Sequence, residues 1–180
     1  MRAFVLLALP LALAACSQQP ETDGDAPESA ETAAARENVT LDLQATGIVV
    51  PPQEGIEQLD VPFGSNRSAT EATLANVLGA ATGGHEGEGD CALQTTEYPG
   101  LTLIFQEEQF VGYMASAPYV PELGRAEMLG DPGVSLVADS TLDGEFAIGT
   151  GETTIAGKFS GEDDTAQVER LWAGENCIFR

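Results

Sequence analysis

Apolar and polar residues alternate along Val39-Thr40-Leu41-Asp42-Leu43, the pattern of a half-buried strand, and Pro51-Pro52 closes the stretch that follows. Ser68-Ala69-Thr70-Glu71 has capping-box spacing and predicts a helix with Leu74, Val77 and Leu78 on one stripe, stopping at Gly79. The Gly-rich, acidic residues 79–90 predict a loop. Beyond them, residues 91–96 are expected to form a strand, and residues 101–106 and 109–115 a hairpin turning at Glu107-Glu108. Leu101, Leu103 and Phe105 then share one strand face. Pro and Gly density makes residues 117–133 an irregular connection with at most one helical turn, near 125–129. Apolar runs at 144–148, 153–159 and 167–172 predict three more strands. Trp172, just before Cys177, is expected in the core. Many short strands with one or two short helices define the fold class as α+β: one small domain built on an antiparallel sheet.

The N-terminus follows a different pattern. Arg2 precedes ten residues, 4–13, that are apolar throughout and include Pro10, and the small residues Ala14 and Ala15 follow. These are the three parts of a secretory signal. The stretch is too short for a bilayer core of roughly 30 Å. It closes on Leu13-Ala14-Ala15-Cys16, which resembles the lipobox of bacterial lipoproteins. That resemblance implies a signal peptide over residues 1–15 and a diacylglyceryl group on the Cys16 thiol, with the freed amine acylated. It also implies anchoring in the cell envelope, because two acyl chains suffice for stable attachment. Position 17 is Ser, where lipoproteins retained at the inner membrane commonly carry Asp. The expected location is therefore the outer membrane, facing the periplasm.

Residues 17–38 lack aromatic residues and Val, Ile, Leu and Met, and carry six carboxylates against Arg36 alone. Such a segment cannot offset its ordering entropy by burial, so residues 16–38 are expected to form a lipidated, disordered acidic linker. Its random-coil span is roughly 25–28 Å. Six of the 29 acidic and two of the seven basic residues precede Val39, leaving 23 against 5, a formal charge of −18, on the domain at 39–180. This balance excludes nucleic-acid binding, which needs clustered Lys and Arg, and disfavours docking of the domain on anionic lipid.

With Cys16 assigned to lipid, Cys91 and Cys177 form an even pair in a chain expected in an oxidising compartment, which predicts a structural disulfide. The remaining candidate chemistry is sparse. His85 lies among Glu86, Glu88 and Asp90, but this loop holds four glycines and is not the rigid frame a metal site requires. Gly87-Glu88-Gly89-Asp90-Cys91-Ala92 matches G-x-G-x-x-A in letters, yet it follows a helix and places carboxylates where pyrophosphate would sit. No G-x-S-x-G elbow occurs. Glu107 and Glu108 could act as acid and base only if their side chains converged, which a turn does not favour. No metal, cofactor or catalytic residue is therefore expected.

A second resemblance rests on Leu74-Ala75-Asn76-Val77-Leu78-Gly79 followed by antiparallel strands. This segment looks like the helix-then-sheet modules of small lipoproteins in the β-barrel assembly machinery and of β-lactamase inhibitor proteins. It covers about fifty residues, lacks the inhibitors' second module and carries over no functional residue, so it is an analogy of fold. The chain as a whole is most like Gram-negative envelope lipoproteins. The expected role is a non-catalytic module that binds another envelope protein or a cell-wall component. The alternative is a small periplasmic hydrolase using carboxylates.

Overall fold

The computed structural model describes residues 39–53, 56–87 and 92–177. The expected signal peptide, Cys16, the acidic linker, Glu88, Asp90 and Cys91 all lie outside the described residues.

Among the described residues, eleven strands form two antiparallel sheets. The first contains β1 (Asp42–Gln44), β2 (Gly47–Val50) and β3 (Leu59–Pro62), in that order. The second contains β4 (Gly83–His85), β5 (Gln94–Tyr98), β6 (Leu101–Gln106), β7 (Gln109–Ala115), β8 (Val134–Leu136), β9 (Glu145–Ile148), β10 (Ile155–Phe159) and β11 (Val168–Gly174). Its order is β4-β5-β6-β7-β11-β10-β9-β8. Among the described residues two α-helices, α1 (Arg67–Leu78) and the single turn α2 (Arg125–Met128), complete a mostly β, α+β domain.

Alternation gives the large sheet one buried face, and a bulge in the β6–β7 pairing brings Phe110, three residues before Tyr113, onto it. Leu101, Leu103 and Phe105 of β6, Phe110, Tyr113 and Ala115 of β7, Leu171 and Ala173 of β11, and Phe159 and Phe146 of β10 and β9 point into one cluster. Ile48, Val50 and Val61 of the small sheet and Leu74 and Val77 of α1 cover that face. The Phe146 and Phe159 rings stack at 4.3 Å, and Phe63 meets Phe110 edge-on at 5.1 Å. The Tyr113 hydroxyl donates to the Gln44 carbonyl at 3.0 Å, tying the sheets together. Burial, with the charge of Asp42 second, raises this phenol above its ordinary range.

The hairpin over residues 101–115 forms where the sequence predicts it, with both Glu107 and Glu108 at positive φ, as a two-residue turn joining twisted strands requires. Three expectations need correction. The first concerns sheet number, since two sheets form where one was expected. β2 and β3 were not predicted, because Gly47 and Pro62 bracket runs too short to show a period.

The second concerns the helix start. Asn66 is the N-cap, its side-chain oxygen accepting from the Ser68 N–H at 3.0 Å and from the Ser68 hydroxyl at 2.7 Å. Ser68 lies inside the helix, and Glu71, the expected capping-box partner, instead receives the Thr96 hydroxyl at 2.6 Å and Arg67 Nε at 3.0 Å. The buried stripe is Thr70, Leu74 and Val77, with Leu78 only partly covered. Replacing Asn66 with Ala should cost about 1 kcal/mol, measured by urea denaturation. The same change at Ser68 should cost less if Asn66 alone caps the helix.

Third, residues 83–85, expected in a loop, form β4. A side chain on Gly84 would press on the Thr95 carbonyl, so the glycines permit close pairing with β5 that their composition disguises.

Candidate functional site

A largely apolar groove of about 630 Å³ lies beside β1. Five consecutive residues, Val39 to Leu43, form one wall. Pro118, Tyr119, Val120 and Pro121 form another, and Ile148, Ile155 and Leu171 form the floor. Its size lies within the roughly 300–1,000 Å³ common for ligand pockets. Gln53 fixes the approach to β1 with both ends of its amide: the Thr40 N–H donates to Oε1 at 3.1 Å, and Nε2 donates to the Thr40 carbonyl at 3.0 Å. The opposite wall follows the cis Ala117–Pro118 peptide and is turned by a Tyr119 N–H to Ser116 carbonyl bond of 2.9 Å. Among the described residues, Asp42 is the only charged one lining the groove.

None of the residues weighed in the sequence for catalysis, metal binding or disulfide chemistry lies here. The available signal was Pro118-Tyr119-Val120-Pro121, three apolar residues and an aromatic ring in a connection that otherwise needs no apolar surface.

The sequence candidates lie elsewhere. His85 is exposed on the edge strand β4. Its neighbour Glu86 turns to Arg67, paired at 3.2 Å, and accepts from Gln94 Nε2 at 3.2 Å. These bonds, the Arg67 hydrogen bond foremost, hold the Glu86 carboxyl below its ordinary range and raise the guanidinium. Arg67 also reaches Glu71 and, at 3.9 Å, Glu108, and its guanidinium sits 5.3 Å from the Phe105 ring centre. Its backbone N–H donates to the Glu108 carbonyl at 2.8 Å. The cluster thus pins α1 to the β4 end and to the β6–β7 turn. Glu107 and Glu108 are exposed turn residues that line none of the three cavities described here.

Carboxylates do gather in one place, a polar cavity of about 200 Å³ lined by Asp139, Asp143, Glu145 and Glu162 together with Arg125 and Ser140. Glu145 is only 2 % exposed and accepts from the Ser140 hydroxyl, which itself accepts the Leu142 N–H at 3.0 Å. This is the arrangement of a carboxylate satisfied in place. No group of three or more His, Cys, Asp or Glu side chains among the described residues could hold a metal ion.

Trp172 is buried as expected, at 2 % exposure, but its neighbours Leu171 and Ala173 face the main cluster, so its ring lies on the opposite face of the sheet. A third, polar cavity of about 360 Å³ is lined in part by Thr82, Glu97, Thr102, Met114 and Arg170. Comparison with known protein families, with curated proteins and with solved structures finds no match for this chain.

Proposed function

We propose that the chain is a lipid-anchored lipoprotein of the bacterial cell envelope, carried on the outer membrane and facing the periplasm, whose domain is a non-catalytic binding module. The groove beside β1 carries the binding part of this reading: it is apolar and of ligand size, and it opens where the chain leaves the linker at Val39. The lipobox Leu13-Ala14-Ala15-Cys16 carries the anchoring part. The acidic domain offers no attraction to anionic lipid, so the acyl chains must supply the membrane affinity. The partner is an envelope protein or a cell-wall component. A Cys91–Cys177 disulfide belongs to the same proposal, supported by the even cysteine pair that remains once Cys16 is assigned to lipid.

Two measurements test the proposal. Cys16→Ser should move the protein from the membrane fraction to the soluble periplasm or leave it unprocessed. Unchanged fractionation, with no lipid-sized mass on the mature N-terminus, refutes anchoring. A photo-crosslinking side chain at Tyr119, in the groove, should give adducts in intact cells, whereas one at exposed Ser135 on β8 should not. Equal yields at the two positions refute the groove as the binding site.

A further inference from the structure

We propose that the groove takes an extended, cationic amphipathic peptide segment of the partner, paired with the free edge of β1. The inference rests on the binding-module reading and names the class of ligand. Three observations carry it. First, among the described residues β1 is an edge strand, hydrogen-bonded to β2 on one side only. Five consecutive residues of this stretch line the groove, and side chains alternate along an extended chain, so the groove is bordered by the backbone edge and not by one face of the strand. Unpaired N–H and C=O groups along an edge select a partner that is itself extended, because an added strand satisfies them.

Second, the floor and far wall beyond that edge are Tyr119, Ile148, Ile155 and Leu171. They suit alternate apolar side chains of the incoming strand. Third, the charge is one-sided. Asp42 lines the groove, exposed Glu122 follows the wall at Pro121, and Asp60 shares the face of Asp42 across Val49. Among the described residues no Lys or Arg lines the groove, and the domain carries 23 acidic against 5 basic residues. Polar positions of the ligand that face this rim are therefore Lys or Arg, which also speed encounter. A purely aliphatic ligand would leave both the strand edge and the rim charges unanswered.

The test uses the full mature-length chain carrying Cys16→Ser, so that no micelle competes for the probe. The probe is a fluorescein-labelled ten-residue peptide of alternating Leu and Lys, followed by anisotropy. Binding should weaken about tenfold or more when Glu replaces Lys, when Ala replaces Leu, or when alternate probe amides are N-methylated, as expected for loss of charge, apolar or backbone contacts. On the protein, Ile155→Asp should act in the same direction. Asp42→Lys, at an exposed position that threatens no packing, provides the same readout if the Ile155 variant fails to fold.

Equal binding of the Ala-for-Leu probe reduces the effect to charge attraction and overturns the proposal. Insensitivity to N-methylation, or complete displacement of the probe by a fatty acid at equal concentration, overturns the strand-pairing ligand. Absence of probe binding while Tyr119 still crosslinks in cells overturns the peptide class and leaves the binding module standing.

Discussion

Phe146→Ala should shift the urea midpoint of the domain down by about 2 M, the loss expected from a cost of roughly 3–5 kcal/mol spread over a typical urea slope. Phe146 is fully buried and stacks on Phe159 with ring centres 4.3 Å apart. Gly157 of β10 lies between Phe146 of β9 and Leu171 of β11, paired with both, and a side chain there would collide with the ends of both. The Phe146 ring therefore fills the space that Gly157 leaves vacant. Removing it opens a cavity that no neighbouring side chain on β10 can refill, and incomplete collapse is what makes a large-to-small change expensive. Typical domains hold only about 5–15 kcal/mol in total, so this variant sits near the edge of folding. Leu136→Ala, at a side chain 45 % exposed on the edge strand β8, should change the midpoint little, within about 0.5 kcal/mol. A midpoint shift for Phe146→Ala as small as that for Leu136→Ala would show that the ring pair does not anchor the strands around Gly157.

Gly157 also shows what the sequence could and could not reveal. The run at 153–159 was legible as a strand because Ile155 and Phe159 alternate with smaller or polar residues. The hairpin at 101–115 was legible for the same reason, with two long apolar runs enclosing a two-residue polar turn. Strands of three or four residues were not. β4 is built on Gly83-Gly84, and its pairing depends on backbone approach to Thr95, a tertiary fact that composition hides. The helix was legible, but its first turn was shifted by two residues. Asn66 and Ser68 are both competent caps, and the choice falls to Asn66 because Arg67 must lie in the helix to meet Glu71 one turn later. The groove was the least legible feature. Its walls come from residues 39–43, 118–121, 148, 155 and 171, and only the order of strands in two sheets brings them together. No local period encodes such a meeting.

Replacing both Cys91 and Cys177 with Ser should lower the thermal midpoint by about 10–15 °C while partner binding survives below the new transition. The described parts of the chain make the pairing reachable. Gln94, at the start of β5, pairs with Phe105, Phe105 with Phe110, and Gly112 with Gly174, so the start of β5 and the end of β11 lie at the same end of the sheet. After Gly174, whose φ of 74° turns the chain, Glu175 donates to the Val111 carbonyl at 2.9 Å and its own carbonyl presses on the position where a Gly112 side chain would stand. Glu175 therefore continues the pairing of β11 with β7 past Gly112, and only glycine at 112 leaves room for its carbonyl. Cys177 is two residues farther along this path, and Cys91 is three residues before β5 begins. Closing a loop of about 87 residues removes unfolded-chain entropy worth up to ~4.6 kcal/mol in the chain-entropy model. The effect acts on the stability of the sheet and not on the groove, whose lining lies on β1, the 118–121 connection, and Ile148, Ile155 and Leu171. Non-reducing peptide mapping of protein isolated from the periplasm should yield a single linked pair containing Cys91 and Cys177. Two free thiols in that material would refute the bond, and an unchanged midpoint in the double variant would refute its contribution to stability.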